Sequence, residues 1–420
     1  MRFLLIALLT LFFMPPVQAA EFDIYQSGFK PLHLAWMVAA PTDESDAKQL
    51  IHDVVRHDLN SSRSFSTLDP LSFLDNIEGT LKHVEYADWR IIGADILAVC
   101  QLKRSGKRLQ AQVQVYDPFR SKLLSRFQLT AAPKSERTLA HAIANRIYQT
   151  ATGIPGYFNS HILYVRKHGD LADLIYMDQD GANKQTVGRN FTLLLSPDWS
   201  PNNQRVALNT YVGDRPRLEI FDLATGRRRT FGAFKGLNST PEWSPDGHFI
   251  AAALSYTGNT EIHLYNTRTK KWRQLTHNPA IDTTPTWSPD GKWIAFTSDR
   301  NGTPQIYRIR ISDGEVQRVT HSGSYNTSPS WSPRGDRIAL IARKSWEYAL
   351  ATVRADGGDL RYLVTTGHIE SPSWSPNGQM LLFSREVKGV RRVYRIPSWG
   401  GRMEAITGPG KDASDPAWSH

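Results

Sequence analysis

Over residues 154–420 the apolar residues come in short runs, rich in β-branched and aromatic side chains, that turn residues interrupt about every ten positions. Such runs predict β-strands, because helices would show apolar residues at intervals of three and four. One phrase, Pro-x-Trp-Ser, recurs six times, and its tryptophans are spaced 44, 44, 44, 43 and 44 residues apart: Trp199, Trp243, Trp287, Trp331, Trp374 and Trp418. A fixed period of this length is typical of a β-propeller with one four-stranded blade per repeat.

The two ends of this array predict how the propeller closes. Seven residues after each of the first five tryptophans a branched apolar residue begins a strand: Val206, Ile250, Ile294, Ile338 and Leu381. One period before Trp199 no Trp-Ser stands at Pro155, yet the corresponding strand is present at 162–164. The sixth Pro-x-Trp-Ser, by contrast, has no strands after it. We therefore predict that residues 416–419 supply the inner strand of the first blade and leave the ring without an exposed edge.

Residues 32–153 mix strand and helix patterns. The predicted strands are Leu32–Ala39, Phe65–Leu68, Ile96–Leu102, Leu109–Tyr116 and Leu123–Leu129. One helix begins near 41–44 and carries on one side Leu50, Ile51, Val54, Val55 and Leu59; a second begins at 135–136 and carries Leu139, Ile143, Ile147 and Tyr148. The chain is thus predicted to be an α/β N-terminal domain (32–153) followed by an all-β six-bladed β-propeller (154–420) closed by the C-terminal strand. The linker 153–156 is short, so the two should pack together.

Residues 1–19 have the pattern of a signal peptide. Arg2 precedes an apolar run, 3–14, and Val17-Gln18-Ala19 resembles a cleavage site. The run is shorter than the ~20 residues that a membrane-spanning helix needs. We expect cleavage after Ala19 or Ala20 and export to the periplasm, with a retained anchor as the alternative. Residues 20–31 alternate apolar and polar side chains and predict a loosely held N-terminal arm.

The charge of the chain does not indicate a nucleic-acid partner. The net charge is +10, but the basic residues are dispersed and mostly flank turns, as at 227–229 and 270–271, without a basic helix or an aromatic reading platform. We interpret them as a solvated rim that interacts weakly with anionic envelope polymers. The single cysteine, Cys100, excludes an intramolecular disulfide and lies in an apolar strand, where we expect a buried thiol.

A search for catalytic motifs gives no candidate. The sequence has no Gly-x-Ser-x-Gly, no His-Glu-x-x-His and no glycine-rich phosphate loop. His52 and His57 do not share a helix face and therefore do not form a paired site. Residues 178–181 lack the spacing of a calcium loop, and we interpret them as a hairpin turn. We predict no catalytic residue, no metal site and no cofactor. Two alternatives stay open: an exported propeller enzyme, either a hydrolase or a polysaccharide lyase, and an exported binding module of another kind.

Propellers bind ligands at their axis, so the residues before each Pro-x-Trp-Ser are the candidate site. We expect them to be loops around the mouth of the channel: 194–196, 237–240, 281–284, 325–328, 368–371 and 411–415. Their side chains are mostly small, hydroxylic or apolar, and an active site would instead bring acids, bases or metal ligands together. This composition predicts a surface for a polypeptide partner.

The combination of these features resembles a known family. A cleaved signal, a small α/β domain, the junction Gly153–Val165, six Trp-Ser-Pro-Asp-Gly-type blades and a terminal Ala-Trp-Ser are similar to the TolB family, the periplasmic propellers of the Tol–Pal envelope system. The resemblance implies a non-enzymatic scaffold that is peripheral to the envelope, does not span the membrane, and supports outer-membrane integrity and constriction at cell division. It also implies that other outer-membrane proteins and colicin-type bacteriocins bind it.

The resemblance further assigns two partners to positions in this chain. The lipoprotein Pal would bind the propeller mouth through Leu237, Asn238, Ser239, Thr240, Ile281, Asp282, Thr283, Thr284, Tyr325, Asn326 and His368. TolA would bind the arm through Glu21, Phe22, Asp23, Ile24, Tyr25, Gln26, Ser27 and Gly28. Leu237 stands where family members have a polar residue. Our hypothesis is that the arm exchanges between docked and released states, and that a partner at the propeller shifts this balance.

Overall fold

The N-terminal domain is built on one five-stranded mixed sheet in a computed structural model that describes residues 30–410 and 412–420. Its strands are β1 (Leu32–Ala39), β2 (Phe65–Thr67), β3 (Ile96–Ser105), β4 (Arg108–Asp117) and β5 (Lys122–Ala131), in the order β2-β1-β3-β4-β5. β1 runs parallel to both neighbours, whereas β3, β4 and β5 are antiparallel. All five strands were predicted.

Helices cover both faces of this sheet. The predicted α1 (Ser45–Ser61) and α4 (Glu136–Thr152) pack on one face, and Leu50, expected in the core, is instead 38% exposed. The other face is covered by α2 (Ile77–Lys82) and α3 (Tyr86–Ile91), which bury Trp89 and were not predicted. Each has six residues, too few for a helical period to show, and α2 depends on a side-chain cap in which Asn76 Oδ1 accepts from the Gly79 amide at 2.8 Å. Short 3₁₀ turns lie at Thr42–Glu44 and Pro70–Ser72.

The remaining strands form six antiparallel four-stranded blades around a central channel. Blades 2 to 6 each contain four consecutive strands, ordered from the channel outward. Blade 2 contains β9 (Leu194–Trp199), β10 (Arg205–Val212), β11 (Arg215–Asp222) and β12 (Arg228–Gly232); blade 3 contains β13 (Asn238–Trp243), β14 (Phe249–Leu254), β15 (Glu261–Asn266) and β16 (Trp272–Gln274); blade 4 contains β17 (Asp282–Trp287), β18 (Trp293–Ser298), β19 (Gln305–Arg310) and β20 (Val316–Arg318). Blade 5 contains β21 (Asn326–Trp331), β22 (Arg337–Lys344), β23 (Glu347–Arg354) and β24 (Arg361–Val364), and blade 6 contains β25 (His368–Trp374), β26 (Met380–Val387), β27 (Val390–Pro397) and β28 (Glu404–Ala405).

Blade 1 is completed by the C-terminal strand, as the sequence predicts. It contains β6 (His161–His168), β7 (Leu171–Asp178) and β8 (Gln185–Phe191), with β29 (Asp412–Trp418) as the inner strand. Trp418 lies opposite Ile162, and the Ser419 amide donates to the His161 carbonyl at 2.9 Å. The Ser419 hydroxyl in turn accepts from the His161 amide at 2.9 Å. The ring of six blades is therefore closed by hydrogen bonds between the two ends of the propeller sequence.

Hydrogen bonds between blades explain why Pro-x-Trp-Ser recurs. In four repeats the side chain at x accepts the backbone amide of the next tryptophan: the donors to Asp198, Glu242, Thr286 and Ser373 lie 2.7, 2.9, 3.1 and 3.0 Å away. The motif serine shapes the turn that follows, since Ser244 Oγ donates to Asp246 at 2.6 Å and accepts from the Phe249 amide at 2.9 Å. Four of the six repeats thus hold the next blade through the side chain at x, and the first five motif serines each bond within the turn that follows them.

The alternating strand directions give the propeller two distinct faces. The front face carries the starts of the inner strands and the turns between second and third strands; the back face carries the Trp-Ser-Pro turns and the turns between third and fourth strands. The N-terminal domain packs on the back face over blades 1 and 6. There Gln179 Nε2 donates to Asp58 at 2.8 Å, Asn377 Nδ2 donates to the Pro155 carbonyl at 2.8 Å, and Tyr157 packs edge-on against Trp418.

No helix in the described part of the chain combines the length and apolar character needed to cross a membrane.

Candidate functional site

The segments expected to be loops at the channel mouth are the first residues of the inner strands. Asn238 pairs with Leu254, Asp282 with Ser298 and Asn326 with Ala342, so the prediction of loops was wrong at these positions. The pairing is interrupted just before each motif proline, where Thr240 and Thr284 have φ angles of 47° and 48°. A proline has no amide hydrogen to donate to the next strand, and a bulge at this point satisfies the geometry.

Three of the predicted site residues are buried and bonded within the protein. Asn238 Nδ2 donates to the Phe234 carbonyl at 2.8 Å, and Asn326 Nδ2 donates to the Ser322 carbonyl at 2.9 Å. Asp282 accepts from both Arg300 Nη2 and Asn278 Nδ2, at 2.9 and 2.8 Å. These side chains hold the connection from the preceding blade against the start of the inner strand.

The other predicted residues line the front face or the channel. Ile281 and His368 are exposed on the front face; Leu237, Ser239, Thr283 and Tyr325 are half-buried there; Thr240 and Thr284 are half-buried in the channel wall. Tyr348 joins two of them, because its ring lies 5.8 Å from that of Tyr325 and 5.4 Å from that of His368, centroid to centroid. Tyr325 and His368, from different repeats, thus belong to one aromatic cluster.

The front face also bears exposed apolar side chains that the sequence did not single out. Trp346 is 88% exposed at the turn between β22 and β23, and Ile281 is 52% exposed where the chain reaches β17. Further large exposed apolar residues on this face are Leu171, Val212, Tyr256, Val387 and Val390. All except Ile281 lie at turns between the second and third strands of a blade. Apolar residues in these turns would therefore have been the signal, once the blade topology was known.

The channel between the inner strands has a volume of about 490 Å³ and is lined by the motif prolines and the residues beside them. Burial in its wall raises the pKa of Asp198 to about 7. Burial, together with the nearby charge of Asp198, raises the pKa of Glu242 well above its ordinary value. Burial likewise raises the pKa of the Asp415 carboxyl. All three acids accept from backbone amides, Asp415 from that of Ser196 at 3.2 Å, and Glu242 also accepts from the Thr286 hydroxyl at 2.8 Å. Within the described residues no hydrogen bond joins any of them to a histidine.

One further cluster of titratable groups lies between the domains. Asp58, His141 and Asp180 place one nitrogen or oxygen atom each within 4.8 Å of the others. Asp58 Oδ2 is 2.6 Å from His141 Nδ1, its other oxygen accepts from Gln179, and Arg137 bonds to Asp180. Hydrogen-bond donors therefore already occupy the carboxylates, and the cluster joins α1 and α4 to the back face of blade 1.

Comparison with known families identifies the chain. A model of the TolB amino-terminal domain matches residues 20–124, and a model of the TolB beta propeller domain matches residues 148–420. The chain belongs to the TolB family. Its fold is that of TolB from Acinetobacter baumannii, with a TM-score of 0.85 and 31% identity over 93% of this chain and 97% of that one.

Other similarities extend over parts of the TolB sequence. Tol-Pal system proteins TolB from Chromobacterium violaceum and Paramagnetospirillum magneticum are 36% and 35% identical over 217 and 227 residues, 51% and 52% of this chain. The aligned region spans about half the length of these curated relatives, 50% and 51% respectively. A chain of a nidogen–laminin complex, at 10% identity and a TM-score of 0.51, shares the fold alone.

Two predicted segments, the N-terminal arm expected to bind TolA and the signal peptide, precede the described part of the chain. Residues Glu21 to Gly28, like residues 1–19, lie outside the described residues. Lys411, expected at the mouth beside β29, also lies outside them.

Proposed function

We propose that this TolB-family chain is a non-enzymatic periplasmic scaffold that binds the lipoprotein Pal on the front face of its propeller and TolA through residues 21–28. In this role it supports outer-membrane integrity and constriction at cell division, and colicin-type bacteriocins would use the same two surfaces. Membership of the TolB family places the chain in the Tol–Pal system.

The observation that carries the proposal is the concentration of exposed apolar side chains on the front face. Trp346, Ile281, Val212 and Tyr256 surround the channel on the face opposite the N-terminal domain. Exposed aromatic and branched apolar residues around a concave centre are typical of protein interfaces. The small hydroxyl side chains of Thr240 and Thr284 in the channel wall leave room for a partner's side chain to enter.

The experiment measures binding of Pal and of TolA to three variants by calorimetry. Ile281→Asp places a charge in the proposed Pal surface and is expected to weaken Pal binding by about tenfold or more, because a charge would be desolvated there. The matched control is Val316→Asp, at an exposed position on the back face of blade 4. It should leave Pal binding unchanged.

The third variant lacks residues 20–31 and is expected to lose TolA binding while retaining Pal binding. Loss of both partners, or of neither, would contradict the assignment of the arm. Equal weakening by the two Asp variants would contradict the assignment of the front face. Turnover of peptides or of uronate polymers by the purified protein would favour the propeller enzyme instead.

A further inference from the structure

The back-face rim of blades 2 and 3 carries an excess of positive charge. The turns between third and fourth strands in these blades, with the strands that follow, contain six exposed cations: Arg227, Arg229, Arg268, Lys270, Lys271 and Arg273. The segments 223–236 and 262–281 contain no acidic residue. Within the described chain none of the six cations makes an ion pair; among their neighbours only Arg228 does, with Glu219 at 3.7 Å.

The equivalent turns of the other blades show that this excess is not a property of the fold. In blade 4 Arg310 pairs with Asp313 at 2.7 Å, and in blade 5 Arg361 pairs with Asp359 at 2.7 Å. Blade 6 pairs Arg395 with Glu404 at 3.0 Å, and the acids of the blade 1 turn pair with Arg137. The charges of the six equivalent turns can therefore be compared within one molecule. In these four blades the turn or a strand beside it contains acids that pair with cations, and the exposed cations left without an ion pair are Lys184 and Arg189 in blade 1 and Arg402 in blade 6. The adjacent turns of blades 2 and 3, with the strands that follow them, contain six such cations and no acid.

The structure also brings the two basic segments together across an aromatic groove. The Phe231 and Trp272 rings stack with an interplanar angle of 8°, and Trp272 Nε1 donates to the Phe231 carbonyl at 3.0 Å. Their groove has a volume of about 430 Å³, and Arg229 and Lys270 are among its lining residues. In the sequence these cations look dispersed, because the group at 227–229 and the group at 268–273 are separated by about forty residues, roughly one repeat.

We propose that this basic rim docks on an anionic phospholipid surface. Six flexible cations without partners complement a negative layer that can rearrange around them, as lipid headgroups do. An acidic peptide of fixed shape would instead be matched by cations that are themselves held in place by hydrogen bonds. The half-exposed Trp272 adds an aromatic ring of the kind that lies at the level of lipid headgroups. The proposal does not depend on the partners of the front face.

The test is co-sedimentation with vesicles of equal parts phosphatidylglycerol and phosphatidylcholine, compared with vesicles of phosphatidylcholine alone. The protein begins at residue 20, because the apolar segment 3–14 would itself enter a bilayer. We expect binding to the anionic vesicles only, and loss of that binding in molar salt, where the Debye length falls to about 3 Å.

Two quadruple variants with the same change in net charge locate the binding surface. Neutralising the rim with Arg227→Gln, Arg229→Gln, Lys270→Gln and Lys271→Gln should weaken vesicle binding by about tenfold or more. The control changes four exposed and unpaired cations of the N-terminal domain: Lys103→Gln, Lys107→Gln, Arg108→Gln and Lys122→Gln. It should weaken binding by less than about twofold.

Three results would overturn the proposal. Equal losses in the two quadruple variants would show that net charge alone drives binding. Failure of the wild-type protein to bind anionic vesicles would exclude a lipid surface. Binding of poly-glutamate, abolished by the rim variant, without any vesicle binding would assign the rim to an acidic polypeptide. All eight substituted side chains are exposed, so unchanged thermal unfolding confirms that both variants are folded.

Discussion

Asp198 and Glu242 accept the same hydrogen bond in the channel wall that Thr286 and Ser373 accept without a charge. A hydroxyl satisfies the tryptophan amide as well as a carboxylate does. The two acids therefore add a desolvation penalty that the architecture does not require. Their raised pKa values express this penalty, because the protonated form is the one that the channel wall favours.

Asp198→Asn should therefore change how stability depends on pH. The pKa of Asp198 is raised to about 7 in the folded protein, so the folded state holds this proton more tightly than the unfolded state. Its contribution to stability is fully present below pH ~4 and is lost as the pH rises to ~7. Between pH ~4 and pH ~7 the free energy of unfolding of the wild type, measured with urea, should therefore fall by about 1–3 kcal/mol relative to that of the variant.

The control for this experiment is Asp290→Asn. Asp290 lies in an exposed turn, and although partial burial opposes it, its pKa is lowered by hydrogen bonds from Ser288 and the Lys292 amide. Its stabilising contribution is present above the unfolded pKa and is lost as the pH falls, so the two variants should shift the stability curve in opposite directions. Parallel curves for wild type and Asp198→Asn would contradict the role assigned to Asp198.

At the scale of secondary structure, the strand β29 that completes blade 1 should have a large effect on stability. Removing residues 412–420 leaves blade 1 with three strands and exposes the inner edge of β6, together with Ile162 and Leu163. The truncated protein should lose cooperative thermal unfolding and aggregate, since an open edge templates pairing with other chains. Light scattering and calorimetry measure both effects.

A synthetic peptide of residues 412–420, added in trans, should restore the missing strand and part of the cooperativity. The control lacks His420 alone, which lies beyond the end of β29 and bonds to blade 2 rather than to β6, so that cooperative unfolding should be retained. A truncated propeller that melts cooperatively at the wild-type temperature would show that closure does not hold the ring.

The elements that the sequence predicted are those with a strong period. The repeats predicted six blades and the closing strand because one tryptophan and one turn recur in each. The starts of the inner strands were missed, since Asn238 and Asp282 look like loop residues until their bonds to the preceding connection are known. Trp346 was missed for a related reason: one exposed tryptophan in a hairpin gives no sequence pattern, and only the topology shows that it lies on the same face as Ile281.

For the molecule as a whole, we expect protonation of His141 to affect the contact between the two domains, because its partner Asp58 also accepts from Gln179 of blade 1 and the Asp180 carboxylate of blade 1 lies close to both. Burial opposes protonation of His141, but its hydrogen bond to Asp58 raises the pKa of the imidazole overall. This stabilisation is fully present below the unfolded pKa of ~6.5 and is lost as the pH rises through the folded value. The domains should therefore hold together less firmly in mildly alkaline than in neutral conditions.

Replacing the histidine, His141→Gln, should cost about 3 kcal/mol near neutral pH, because it leaves the buried Asp58 carboxyl with one fewer partner. It should also flatten the pH dependence of proteolysis at the linker 153–156, which reports separation of the domains. His52→Gln is the control, since His52 pairs with Asp53 on the exposed side of α1. Equal effects from the two substitutions would exclude a special role for His141.

Closure of the ring also determines the order in which the blades can fold. The hydrogen bond from the His161 amide to the Ser419 hydroxyl spans 258 residues, whereas every strand of blades 2 to 6 finds its neighbours within its own repeat. Those five blades can form before the chain is complete, but blade 1 can form only when residues 412–420 are available. During that interval it presents an open strand edge, and a chaperone that shields β6 would be most useful there.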